Sequence, residues 1–139
     1  MLADLTCVGM EISEEGRRLT EERLLRWREA RPNVSFVVSS ASIENAAVRI
    51  CTPFDYIVSI GSLEHVIDLD AALANIRVLL KPDGRWYFYC PNELWIHEDQ
   101  PNERTATDEE WEALFGAHGL VTDWRERRGD NTCFMGHRT

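Results

Sequence analysis

The hydrophobic pattern in the first part of the chain alternates short apolar runs with a longer amphipathic segment. Apolar, partly β-branched runs at 5–12, 34–39 and 54–60 predict three strands. The first run ends at Ser13, whose side chain can cap a helix. Residues 14–30 are rich in good helix formers, so they predict that helix. Strand and helix therefore alternate from the start.

The middle of the chain continues the alternation. Apolar residues at helical spacing predict a helix over 71–80, capped by Asp68 or Asp70. Residues 81–84, Lys-Pro-Asp-Gly, predict a tight turn before a strand at 85–90. We expect the apolar face of the helix to pack against strands on both sides of it in sequence. That face is formed by Leu73, Ile76 and Leu80.

The C-terminal part changes character. Thr107 followed by Glu110 is a capping-box pattern, which predicts a helix that ends near Gly119. Short strands at 120–124 and 132–136 then flank a Gly-Asp turn, so they predict an antiparallel hairpin.

Together these elements predict one α/β domain over residues 1–139. Its fold class is a doubly wound, mostly parallel sheet of the Rossmann-like type with helices on both sides and a C-terminal antiparallel hairpin. The near-continuous apolar run at 54–60 predicts a central strand buried on both faces. Residues 44–48 predict at most a short helix, and the polar stretch 91–106 predicts a long loop that is a candidate lid.

Composition narrows the function classes. A net charge of -9 with Lys81 as the only lysine disfavours nucleic acid as a partner. The longest apolar runs are far shorter than the roughly 20 residues of a membrane helix, so we expect no membrane partner and a cytoplasmic protein. The basic cluster at 125–128 is mixed with Glu126 and predicts a solvated strand end. The four cysteines are far apart in sequence, so they predict reduced, mostly buried thiols and no metal site.

Candidate chemistry lies where strands end, because open α/β sheets bind ligands outside the carboxyl ends of their strands. Glu11 closes the first strand, and a carboxylate there can accept hydrogen bonds from both hydroxyls of a ribose. The alternative is a glutamate that is merely exposed to solvent or supports the helix cap. The other strand ends lie at 39–42, 59–65 and 91–97.

Three motifs along the chain resemble those of a known family. They are V-G-M-E-I-S at the second strand of that family, F-D-Y-I-V-S-I-G-S-L-E-H-V at its fourth, and L-L-K-P-D-G-R-W-Y-F-Y-C-P-N at its fifth. The family is the class I S-adenosylmethionine-dependent methyltransferases of the small-molecule type, and the resemblance spans nearly the whole chain. It implies methyl transfer from S-adenosylmethionine to a small-molecule acceptor.

The resemblance also implies roles for individual residues. Glu11 would hold the ribose of the cofactor, with Ile12 beside the adenine. The residues that would face the methionine moiety are Ser59, Ile60 and Gly61. Leu63 and His65 would flank the reaction centre, with His65 or Glu64 as an optional catalytic base. A histidine at the start of a helix, bonded to backbone, is the alternative for His65.

The chain departs from the family pattern in two places. Ser40, followed by Ala41 as a further expected cofactor contact, stands where the family usually has an acidic residue that reaches the adenine amino group. The family's first strand and glycine-rich loop have no counterpart before residue 5. We therefore expect an N-terminally truncated domain that binds the cofactor weakly, with unpaired edges on the strands at 5–12 and 54–60.

Two other functions remain open on the sequence. The chain could be a non-catalytic, methyltransferase-like module that pairs its exposed strand edges with another copy, as a homo-oligomer, or with a partner protein. A different doubly wound enzyme such as a dehydrogenase is disfavoured because G-x-G-x-x-G is absent. The methyl acceptor would meet a variable loop that includes Trp95 and His97, although Trp95 is alternatively a loop anchor packed on the sheet.

Overall fold

A computed structural model describes residues 4–95 and 103–139 of the chain. The chain forms two compact units, Met1–Ser42 and Ile43–Thr139, which are described separately below. Residues 96–102 of the candidate lid predicted at 91–106, His97 among them, lie outside the described residues.

The first unit is a strand–helix–strand motif. Strand β1 (Leu5–Met10) and strand β2 (Val34–Ser39) pair in parallel, in the register Leu5 with Val34 through Met10 with Ser39. Helix α1 (Glu14–Ala30) connects them and contains no buried residue. The side chain of Ser13 accepts a hydrogen bond from the Gly16 N–H at 3.1 Å. The predicted cap and the predicted helix bounds are therefore confirmed.

The second unit is a four-stranded mixed sheet with helices. Its strand order is β3-β4-β6-β5, with β3 and β4 parallel and the other pairs antiparallel. The elements are a 3-10 turn at Ile43–Asn45, α2 (Ala46–Arg49), β3 (Phe54–Ile60), a 3-10 turn at Leu63–His65, α3 (Leu69–Leu79), β4 (Leu80–Pro91), α4 (Asp108–Ala117), β5 (Leu120–Arg128) and β6 (Asn131–Arg138).

One buried cluster holds this unit together. Leu73, Ile76 and Leu80 lie in it with Trp86 and Phe88 of β4, and Ile57 of β3 packs against it. The expected packing of the predicted helix 71–80 is thus confirmed. Phe115 of α4 contacts the rings of four aromatic neighbours at centroid distances of 5.2–5.7 Å, the spacing of favourable aromatic pairs. Those neighbours are Trp86, Phe88, Trp111 and Phe134.

The predicted caps and the hairpin are also confirmed. Asp68 caps α3 by accepting from the Ala71 N–H at 3.0 Å. Thr107 and Glu110 form the capping box of α4. Strands β5 and β6 pair antiparallel around a turn at residues 129–130, where Gly129 has φ +68°, a conformation that glycine adopts without strain. Both strands are longer than the sequence predicted.

Two local predictions are wrong. Strand β3 is not buried on both faces: Tyr56, Val58 and Ile60 are 72%, 60% and 64% exposed. Among the described residues β3 pairs only with β4, so it is an edge strand, and its apolar run reflects a face that the second unit leaves open. Residues 81–84 do not form a tight turn between helix and strand. They lie inside β4 as a bulge, because Phe54 pairs with Leu80 whereas Tyr56 already pairs with Arg85.

None of the described helices is long and apolar enough to cross a membrane. Within residues 4–95 and 103–139, no group of three or more metal-ligating side chains is brought together. Cys90 and Cys133 are buried, whereas Cys51 is exposed and Cys7 is half-buried.

Candidate functional site

The backbone turns sharply where β3 ends, at the predicted methionine-binding segment. Gly61 has φ +59°, and its N–H donates to the Tyr89 carbonyl at 3.1 Å. A side chain would be strained at this φ, which is the physical reason for glycine at the strand end. The Ser62 hydroxyl donates to the Ile60 carbonyl at 3.2 Å and closes the turn into the 3-10 segment.

The predicted contacts around this turn differ in exposure. Ser59 is half-buried, and Ile60 is exposed at the end of the strand. The side chain of Leu63 is 2% exposed and belongs to the core cluster. Leu63 therefore packs the turn against the core of the second unit.

Glu64 is an unusual buried carboxylate. It is 8% exposed, and its Oε2 atom has no hydrogen-bond partner among the described residues. Burial raises the pKa of Glu64 above its ordinary value, and the nearby charge of Glu103 adds to the effect. Its backbone carbonyl accepts from the Arg104 N–H at 3.2 Å. The arrangement holds a poorly solvated acid next to Gly61.

His65 lies between two carboxylates. Its Nε2 atom is 3.5 Å from Glu103 Oε1 and 3.9 Å from Glu64 Oε1, while 54% of its side chain is exposed. Its backbone N–H donates to the Ser62 carbonyl at 3.2 Å, within the 3-10 turn. The imidazole is accessible to solvent beside these two carboxylates.

Sequence reasoning missed Glu103. Its Oε2 accepts from the Trp95 indole N–H at 2.8 Å, while its Oε1 faces His65. The bond holds the Trp95 indole to Glu103 within the polar stretch 91–106. No pattern in the polar stretch 91–106 distinguishes Glu103 from its neighbours, because its significance comes from tertiary proximity to His65.

A polar network fixes the start of the loop after β4. Asn92 is fully buried and donates to the Gly129 carbonyl at 3.0 Å and to the Thr132 hydroxyl at 3.3 Å. The Thr132 hydroxyl donates to Asp108 Oδ1 at 2.7 Å. Arg127 Nε donates to Asp108 Oδ2 at 2.9 Å. These bonds tie the β4 end, the hairpin turn and the start of α4 together.

The charges in this network stabilise each other. Burial pulls the pKa of Asp108 upward, but the bonds from Arg127 and Thr132 outweigh it, so the pKa lies below its ordinary value. Arg127 also binds Glu93 at 2.6 Å, and these bonds raise the pKa of Arg127. Arg125 pairs with Glu109 and Glu112. The basic cluster at 125–128 is exposed at the end of β5, as predicted, and Arg125 and Arg127 pair there with carboxylates of α4 and of the loop after β4.

In the first unit, Glu11 follows β1. Its Oε1 atom accepts from the Ser13 N–H at 2.8 Å, so it supports the helix cap, as its alternative role expected. Gly16 makes room for this, since a Cβ there would lie 2.8 Å from Glu11 Cδ. A carboxylate has about four acceptor positions, so this bond leaves capacity for further donors.

The other predicted adenosine contacts differ in accessibility. Ile12 is 73% exposed, and Ser40 is also exposed. Ala41 is buried, and its N–H donates to the Ser39 hydroxyl at 3.1 Å. The structure therefore presents Glu11, Ile12 and Ser40 at the carboxyl ends of β1 and β2, the edge where this class of sheet binds ligands.

Comparison with solved structures identifies the fold. The chain is similar to the PH0226 protein from Pyrococcus horikoshii OT3, with a TM-score of 0.73 and 21% identity over 96% of this chain and 72% of that one. It is similar to an S-adenosylmethionine-dependent methyltransferase from Clostridium acetobutylicum ATCC 824, with a TM-score of 0.72 and 14% identity over 94% and 74%. The fold is the Rossmann-like methyltransferase fold.

A third similar structure is the Burkholderia thailandensis 1,6-didemethyltoxoflavin-N1-methyltransferase, which contains 1,6-didemethyltoxoflavin and S-adenosylhomocysteine. The TM-score is 0.65 and the identity is 21%, over 95% of this chain and 60% of that one. No curated protein sequence gives a significant match. The model of the methyltransferase domain family matches residues 1–86, and the chain belongs to that family. The resemblance stated from the sequence motifs is thus confirmed.

Proposed function

We propose that the chain takes part in methyl transfer from S-adenosylmethionine to a small-molecule acceptor. The observation that carries the proposal is the β3 end, where a left-handed glycine leads directly into an accessible histidine flanked by two largely buried carboxylates. Family membership supplies the reaction class. S-adenosylmethionine, the methyl donor of that class, supplies an electrophilic methyl group on a sulfonium.

The residues at the β3 end fit the methionine part of this donor. A Cβ at Gly61 would have only Glu64 Oε1 nearby, at 3.5 Å, so the glycine leaves its outer side free for close approach. Glu64 and Glu103 make the surroundings acidic, which suits a ligand with an ammonium and a sulfonium. The unpartnered Glu64 Oε2 provides an acceptor that a cationic ligand could satisfy.

The residues at the β1 end fit the adenosine part. Glu11 retains acceptor capacity for ribose hydroxyls, and the exposed Ile12 offers an apolar surface for a base. Ser40 can accept a hydrogen bond but carries no charge, so its contribution is weaker than that of a carboxylate. We therefore expect the adenosine end to contribute less binding energy than it would with a carboxylate at position 40.

His65 is the proposed base where the acceptor loses a proton. Its exposed ring can accept that proton, and Glu103 Oε1 lies 3.5 Å from its Nε2 atom. Leu63 holds the turn in the core and so fixes the position of His65. Most of the catalytic effect of such residues is positioning, because methyl transfer needs mainly an aligned acceptor and the exclusion of water.

The acceptor is proposed to be a small molecule that reaches the site on the side of Trp95 and Glu103. The net charge of -9 disfavours a nucleic acid. A cytoplasmic location is the setting that we propose for this chemistry.

Calorimetric titration with S-adenosylhomocysteine tests the proposal. Glu11→Ala should weaken binding about ten- to a hundredfold, because charged acceptors contribute about 1.5–3 kcal/mol. Glu14→Ala is the matched control, since Glu14 is an exposed glutamate three residues away at the start of α1. Equal affinities for both variants would assign Glu11 to the helix cap alone. Absence of any heat of binding by the wild-type chain would count against the function itself.

A non-catalytic module is the second candidate, and one observation favours it. The outer edge of β3 has no strand partner among the residues that the structure describes, so its backbone donors and acceptors are open to another chain. On this account the chain would associate but would not bind S-adenosylhomocysteine. The calorimetric titration therefore separates the two candidates.

A further inference from the structure

Glu103 lies beside the proposed base and is itself held from the other side. Its Oε1 atom is 3.5 Å from His65 Nε2, and its Oε2 atom accepts from the Trp95 indole N–H at 2.8 Å. The Glu103 side chain is 8% exposed. Each oxygen of this carboxylate therefore faces a different partner, and the bond from Trp95 fixes which oxygen faces the imidazole.

The backbone on both sides of the Trp95–Glu103 bond is anchored. The Trp95 N–H donates to the Asn92 carbonyl at 3.0 Å, and Asn92 is fully buried in the polar network after β4. Next to Glu103, the Arg104 N–H donates to the Glu64 carbonyl at 3.2 Å. Backbone bonds thus help to place the carboxylate, in addition to the side-chain bond from the indole.

The other two histidines in the described part of the chain have carboxylate partners that are less firmly held. His118 Nε2 is 2.8 Å from Asp70 Oδ1, but the Asp70 side chain is 81% exposed. His137 Nδ1 is 3.0 Å from Asp123, which also pairs with Arg85. A carboxylate that is buried and bonded by a second donor keeps its position better than an exposed or shared one. Among the described histidines, this combination belongs to the proposed base.

Glu64 is the weaker candidate for orienting the same ring. Its Oε1 atom is 3.9 Å from His65 Nε2, farther away than Glu103. Burial raises the pKa of Glu64, which favours its protonated form. A protonated acid attracts a ring N–H less strongly than a carboxylate does. The contact with Glu103 therefore dominates.

A carboxylate beside Nε2 selects between the two neutral forms of the imidazole. In a neutral ring one nitrogen carries the proton and the other accepts one, and the partner of either nitrogen decides which form is present. A carboxylate can only accept, so it favours the form with the proton on the nitrogen that it faces.

We propose that Glu103 is the positioning residue of His65: it keeps the ring proton on Nε2 and leaves Nδ1 as the atom that takes the proton of the methyl acceptor. The electron pair that this proton leaves behind forms the new bond to the methyl carbon, and the carbon–sulfur bond of the donor breaks. The assignment rests on the proposed function, in which His65 is the base.

Nitrogen NMR of the imidazole rings in the isotope-labelled, ligand-free chain tests the proposal. Spectra are recorded at about pH 8.5, where imidazoles are neutral, and the shifts of the two ring nitrogens show which one carries the proton. Wild-type His65 should carry it on Nε2. Glu103→Gln should move it to Nδ1, because the amide oxygen can still accept from Trp95 and the amide N–H group, a donor, then faces Nε2. A residue that only anchors Trp95 would not produce this shift.

Glu93→Gln is the matched control, since Glu93 is a glutamate of the same polar stretch whose carboxylate binds Arg127 at 2.6 Å. It should leave His65 as in the wild type, and backbone spectra verify that each variant folds. A Glu103→Gln chain with the proton still on Nε2 would assign Glu103 to anchoring alone and overturn the proposal. A wild-type ring with its proton on Nδ1, or an equal shift in Glu93→Gln, would also overturn it.

The spectra need no ligand, so this proposal and the proposed function fail in different experiments. No heat of binding with S-adenosylhomocysteine would refute the proposed function and leave the placement of the ring proton to be read from the spectra. Binding with the wrong ring proton would refute the role of Glu103 alone.

Discussion

The two compact units differ in how much apolar surface they bury. In Ile43–Thr139 a single cluster joins buried side chains of α3, β4, α4 and β6, with Phe115 at the centre of its aromatic contacts. In Met1–Ser42 the helix α1 has no buried residue, and Ala41 is the one buried apolar side chain among the described residues. A two-stranded sheet with one helix is marginal by itself. The second unit therefore carries the stability.

The residues proposed to contact the ligand are likewise divided between the two units. The proposed methionine contacts and His65 belong to the second unit, where the buried Leu63 packs their turn against the core. Glu11, Ile12 and Ser40 belong to the first unit, where little burial holds them. A ligand that binds the first unit should stabilise it, because ligands favour the conformation that they bind.

The largest effect should come from the aromatic core. Phe115→Ala removes a fully buried ring and should reduce the free energy of unfolding by about 3–5 kcal/mol. Phe36→Ala, at a half-buried position in β2, should cost about 1 kcal/mol or less. Urea denaturation followed by circular dichroism measures both. Equal losses would contradict the claimed difference between the units.

A smaller effect should come from the buried polar network. Asp108→Asn should destabilise the second unit by about 1–3 kcal/mol at neutral pH, because charge-assisted bonds from Arg127 and Thr132 are weakened. The pKa of Asp108 is lowered in the folded state, so its stabilisation is present above its ordinary pKa of 3.8 and is lost as pH falls below that value. The gap between wild type and variant should therefore close in acid.

Thermal unfolding of Asp108→Asn across a pH series measures this dependence. Glu109→Gln is the control: because the Glu109 side chain is mostly exposed, its substitution should change the melting temperature only slightly. A gap that persists at the acid end would show that the network does not depend on the charge of Asp108.

The pH dependence of stability that comes from Glu64 should have the opposite sign to that from Asp108. Burial raises its pKa in the folded state, so any stability tied to its protonated form is present at low pH and is lost as pH rises above the ordinary value of 4.5. Glu64→Gln should therefore gain in melting temperature relative to wild type as pH rises toward about 7. The corresponding gain in the free energy of unfolding should be below about 1 kcal/mol, because the buried Gln side chain also needs hydrogen-bond partners for its amide group. A gain confined to acid would contradict the account.

Loss of a helix cap should have a small effect on stability that differs between the two units. Thr107→Ala should cost about 1 kcal/mol of global stability, because α4 is part of the core. Ser13→Ala should destabilise α1 locally but leave the main unfolding transition almost unchanged. Calorimetric melting of both variants tests this. A Ser13→Ala loss as large as that of Thr107→Ala would mean that the units unfold together.

Much of the fold was predictable because local signals agreed. Ser13, Asp68 and the Thr107–Glu110 pair mark helix starts by side-chain chemistry, and residues 129–130 mark the hairpin turn. The prediction that β3 is a central strand buried on both faces was wrong for a different reason. An apolar run shows that side chains favour burial, but it does not show whether anything covers Tyr56 and Val58.

The candidate site was predictable only in part. Resemblance to the family's motifs pointed to Glu11, Gly61 and His65, and the structure gives Gly61 the positive φ that favours glycine. Glu103 and the bonds of Asn92 depend on contacts between segments distant in sequence, which periodicity does not encode. The bond from Ser13 to Glu11 was foreseen only as an alternative, since a strand-end acid can serve a helix cap or a ribose equally well.

Hydrogen exchange measured by mass spectrometry, with and without excess S-adenosylhomocysteine, tests the central claim most directly. We predict that without ligand the amides of β4 and β6 exchange slowly while those of β1, α1 and β2 exchange rapidly. Ligand should then slow exchange at the β1 end around Glu11 and at the β3 end around Gly61. Equal protection of both units without ligand, together with no change on adding it, would contradict the account.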